Sequence, residues 1–157
     1  MSQQKTLLII YYVCLALIVA AIVGGRYLAF NFGIHTDPQT QAGIAFTSIC
    51  IIYTLAATFI AFWGFNYLLK SKKKALGINQ AIDDEQRPSK QDTEALKQYH
   101  FKLSIARIAI ITSAVVLCVM AFFITIHKPM MWCAAIPLLM LTICKPSQQR
   151  YLQETEG

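Results

Sequence analysis

Carboxylates are missing from every long apolar run of this 157-residue chain. The Asp and Glu residues sit elsewhere: at Asp37, between Asp83 and Glu94, and at Glu154 and Glu156. Proton-coupled carriers bind and release protons on carboxylates inside the membrane. Small multidrug exporters of this size rely on such an embedded Glu, so that chemistry has no seat here. Charge of either sign is scarce, at 14% of residues against about 25% in a soluble domain. The deficit is local, because the charges sit in short blocks between long uncharged runs. That pattern describes a membrane protein rather than a soluble globule.

Other absences narrow the chemistry further. The five cysteines, Cys14, Cys50, Cys118, Cys133 and Cys144, form no Cys-x-x-Cys pair of the kind thiol–quinone oxidoreductases use. Their spacing matches neither a zinc site nor a disulfide framework. His35, His100 and His127 all lie near the ends of apolar runs or between them, so paired haem ligands at membrane depth are absent. There is no glycine-rich phosphate loop, nucleophile elbow, metalloprotease helix or kinase signature. No Asn-x-Ser/Thr sequon occurs, and the C-terminus carries no lipidation signal. No catalytic residue and no cofactor are expected.

What is present is four apolar runs. A helix needs about 20 apolar residues to cross the hydrocarbon. The candidates are 6–25, 42–69, 103–126 and 129–144, within a single membrane domain covering 1–157. The first run has 20 residues, longer than the roughly 7–15 of a signal-peptide core, and reads as an uncleaved span. Cys14 follows "YYV", which is not a lipoprotein cleavage sequence. The fourth run has only 16 residues and contains Pro137. At 1.5 Å per residue it covers about 24 Å, so it crosses a thinned bilayer or re-enters; a full crossing is the expectation.

Lys and Arg set the orientation. With the N-terminus inside, eleven basic residues face the cytoplasm, eight of them in the 70–102 loop, while Arg26 and Lys128 lie outside. Both termini and the loop are therefore expected to be cytoplasmic. The net charge of +6 then reflects topology rather than nucleic-acid binding. Lys70, Lys72, Lys73 and Lys74 directly follow the second run. They read as a topology anchor or an anionic head-group site, each gaining about 1 kcal/mol near an anionic leaflet. Within the loop, Pro88 breaks the chain, and Ser89 with Asp92 forms a variant capping box. One helix should run from about Lys90 into the third span. The expected fold is all-α: an integral-membrane four-helix antiparallel bundle with a helical cytoplasmic extension before the third span.

Small residues mark the packing. Gly43, Thr47, Cys50, Thr54, Ala57, Ala61 and Gly64 recur at alternating spacings of four and three, a heptad stripe among bulky neighbours. In lipid, close approach along small residues drives helices together. Ala16, Ala20 and Gly24 form a similar ridge on the first span, and Ala114, Cys118, Ala121 and Thr125 on the third. The first three spans are expected to meet along these seams. Extending the third seam backwards reaches Arg107, near the cytoplasmic edge, with Asn66 at a similar depth on the second span and Tyr11 and Tyr12 on the first. Arg107 is either a structural anchor that reaches for the head groups or an anion site.

Two sites remain open to sharper readings. Cys50 and Cys118 each lie roughly 12 Å deep by the helical rise, as packing residues or as a redox pair. "IHKPMMWC" (residues 126–133) places Met130 and Cys133 on one helical face, with His127 or His35 as a third soft-metal ligand. Against a copper site stand Lys128, which repels a cation, the gap-filling habit of Met and the interfacial preference of Trp132. The expected role is non-catalytic: an accessory, assembly or scaffold subunit acting through helix–helix contacts, with membrane lipids and a membrane-protein partner or a second copy as partners. A small transporter or channel subunit is the first alternative. A membrane thiol-redox or metal-handling protein is the second. The missing sequons and targeting signals favour a bacterial inner membrane.

Overall fold

The computed structural model describes residues 3–33, 39–76, 90–125 and 128–147. Among these every regular element is helical, and there are four helices: α1 Gln3–Phe32, α2 Gln41–Ala75, α3 Lys90–Thr125 and α4 Lys128–Ile143. The first three are long and apolar enough to cross a membrane; α4, with 16 residues, is shorter.

The helices outrun the apolar runs. The Gly24–Gly25 pair does not end α1, which continues to Phe32 and closes at Gly33 with φ +56°. That left-handed conformation favours glycine and commonly follows a helix end. The hydropathy drop at Arg26 therefore marks the edge of the apolar run, not the end of the helix. Thr40 starts α2 by accepting the Gly43 N–H at 3.1 Å, satisfying one of the free donors of the first turn. α2 passes the expected boundary at Leu69 and ends at Ala75, and α3 starts at Lys90, well before Leu103. The ends of both therefore stand clear of the apolar region as a helical hairpin.

α3 is the hub. Its faces pack against α1, α2 and α4. α2 runs antiparallel to it: Thr54 lies level with Cys118, and Phe65 with His100. α4 is also antiparallel, with Met130 beside Ala121 at one end, and Leu141 and Cys144 in one cluster with Ile108 and Ile111 at the other. So α4, with 16 residues, covers α3 from Ala121 to Ile108, whereas α2 continues along α3 to His100 and Leu96. Pro137 sits inside α4 and is fully buried. α1, by contrast, runs parallel to α3: Leu7 and Tyr11 share the Ile108–Ile111 cluster, and Gly25 lies under the Phe123 ring. Its main neighbour is α3 rather than α2, which follows it in the chain. Chain direction alternates as an up-and-down bundle requires, but the packing is three helices around α3.

Candidate functional site

The α2 stripe faces the protein interior. Gly43, Thr47, Cys50, Thr54, Ala57 and Ala61 are all buried, while Phe46, Ile49, Ile52, Phe59 and Trp63 face outward. On α3, Ala114, Cys118, Ala121 and Thr125 are buried as well. Thr54 joins the two helices. Its hydroxyl donates to the Cys50 carbonyl at 2.7 Å. With that proton committed, the Cys118 thiol donates to the Thr54 oxygen at 2.9 Å. Cys118 therefore bonds a hydroxyl, while Cys50 packs against Ala121 and Met130. Both thiols are free.

Several other hydroxyls bond back to their own helix: Thr58 to the Thr54 carbonyl at 2.7 Å, Thr125 to Ala121 at 2.8 Å and Thr142 to Leu139 at 2.7 Å. Such back-bonding commits the hydroxyl proton to the helix's own backbone. The buried Oγ1 atoms of Thr47 and Thr112 make no hydrogen bond.

The stripe changes character at Ile60–Gly64, where α2 makes one π turn. A regular heptad would place Gly64 inward, but Gly64 is only partly buried and Phe65 takes the inward place, followed by Leu69 and Lys73. The turn absorbs one residue, so the small seam is replaced by a bulky one. Phe65, Leu69 and Leu96 form a cluster that holds the hairpin together, with Leu76 and Leu103 beside it.

Arg107 sits at this change. It is 6% exposed. Its guanidinium lies 4.4 Å from the Phe65 ring centroid and 5.8 Å from that of Phe62, two rings three residues apart on neighbouring turns of α2. Arg stacks on aromatic faces through charge and planarity together. Phe65 also meets His100 edge-on at 5.7 Å. Asn66 does not join Arg107: it is exposed on the far side of α2. The π turn puts Phe65, not its neighbour, on the inner face. Tyr11 is buried, whereas Tyr12 is exposed.

The lysine block splits in the same way. Lys70 and Lys74 are exposed, Lys72 lies 5.8 Å over the Tyr99 ring, and Lys73 is buried to 9% exposure on the inner face with Leu69. Its stem covers apolar surface, as long basic side chains do. The block is thus partly a packing element, which a run of four basic residues in sequence does not announce.

At the opposite end, Met130 is fully buried, Cys133 is half-buried, and Met131 and Trp132 are 59% and 74% exposed. Met130 is a core residue against Cys50 and Ala121. No group of three His, Cys, Asp or Glu that could hold a metal occurs among the described residues. His35 and His127, the remaining candidate ligands, lie outside the described residues.

The first-span ridge departs most from expectation. Ala16 and Ala20 are exposed and Gly24 is partly so. α1 instead turns Leu7, Tyr11, Ile18 and Gly25 toward α3. Gly25 supplies the close approach, since a Cβ there would overlap the Phe123 ring. Sequence reasoning missed Gly25, and the signal was one residue away: the ridge pattern selected its neighbour Gly24. Nor did it find Tyr53, whose hydroxyl donates to Ser113 at 2.8 Å on the exposed side of the α2–α3 groove, while Ser113 donates to the Ile110 carbonyl.

No protein family, no curated protein and no solved structure matches the chain.

Proposed function

We propose that this chain is a non-catalytic membrane subunit, an assembly or scaffold element that binds a partner helix through α1. The observation carrying this reading is the outward position of Ala16 and Ala20, with Gly24 partly exposed in line with them. Lipid-facing surfaces are normally bulky, and helix interfaces are rich in small residues. α1 departs from that rule along most of its length: its inner face carries Leu7, Tyr11 and Ile18 before Gly25, while Ala16 and Ala20 point away from the protein. The α2 stripe does not serve this purpose, because α3 and α4 already cover it. The partner is a membrane protein or a second copy of this chain.

The charge bias places both termini and the α2–α3 hairpin in the cytoplasm, with Lys70 and Lys74 exposed to anionic head groups. A bacterial inner membrane is the location that belongs to this proposal. The spans, α4 included, cross it.

Purification in mild detergent followed by native mass spectrometry tests the proposal. An assembly larger than a monomer is expected. Ala16→Leu with Ala20→Leu should dissociate it while leaving the helical signal unchanged, since neither side chain packs inside. Recovery of the wild type as a bare monomer, or an assembly indifferent to the paired substitution, would overturn it. The transporter or channel reading finds less support: the Thr54 and Thr58 hydroxyls donate to their own helix, and Thr47 is buried against the protein.

A further inference from the structure

We draw no further inference here: the strongest candidate, the Arg107 guanidinium held by Phe62 and Phe65 where α2 and α3 meet at the lysine-rich end, is enclosed by the protein and already engaged within it, and nothing in the structure shows an outside ligand reaching it.

Discussion

Adjacent glycines in α1 should respond to alanine with opposite signs. Glycine within a helix costs about 1 kcal/mol relative to alanine. At Gly24 a new Cβ meets nothing within 4 Å, so Gly24→Ala should stabilise the fold by roughly that amount. At Gly25 the same methyl enters the Phe123 ring, and overpacking costs about 1–3 kcal/mol. Gly25→Ala should therefore destabilise by up to about 2 kcal/mol, the overpacking cost less the propensity gain. Removing the ring reverses the sign. In a Phe123→Ala background the overlap is gone, and Gly25→Ala should recover the full propensity gain of about 1 kcal/mol. Unfolding by increasing SDS mole fraction in mixed micelles, followed by circular dichroism, measures all four combinations. The reasoning fails if Gly25→Ala has the same effect with and without Phe123, because the two residues would then not share an interface. It also fails if Gly24→Ala is the more damaging change, since that would put the other glycine inside.

Three further outcomes can be read in the same assay. Arg107→Ala should cost about 2 kcal/mol, the range of a desolvated cation–π contact, and Arg107→Lys should restore only part of it because an ammonium lacks the planar stack; full rescue by Lys would mean that charge alone matters. Thr54→Val and Cys118→Ala should show a coupling of about 0.6 kcal/mol in a double-mutant cycle, the usual size of an interhelical hydrogen bond in lipid. A coupling indistinguishable from zero would remove that bond from the account. Met130→Ala should cost about 2–5 kcal/mol as a buried truncation, while Met131→Ala stays within about 0.5 kcal/mol as an exposed change; equal effects would contradict the orientation of α4.

The four helices and the α2 seam were legible because two signals were strong. Long uncharged runs announce apolar helices, and Gly43 to Ala61 repeat at heptad spacing with no bulky residue among them. The inner face of α1 was not legible for a physical reason. In an apolar solvent, polarity no longer separates inside from outside: Leu7 and Ile18 face in and Leu17 and Val19 face out, with nothing in their chemistry to distinguish them. Size was the only remaining cue, and it pointed to the outward ridge. The burial of Lys73 and the exposure of Asn66 were hidden for another reason, since both depend on the π turn upstream. The segment "IAFWG" contains no proline to betray that turn.

That turn also determines how the chain tolerates changes in length. Deleting one residue from a regular helix rotates everything after it by about 100°, which would strip a bundle of its contacts. In α2 the extra residue of Ile60–Gly64 is already accommodated as a widened turn. Removing the exposed Trp63 would convert that turn to regular helix and leave Phe65, Leu69 and Lys73 still facing α3. A single-residue insertion at the same place has no such slack to absorb it and would swing the lysine hairpin out of register. Within this one segment the chain is spared by shortening and broken by lengthening.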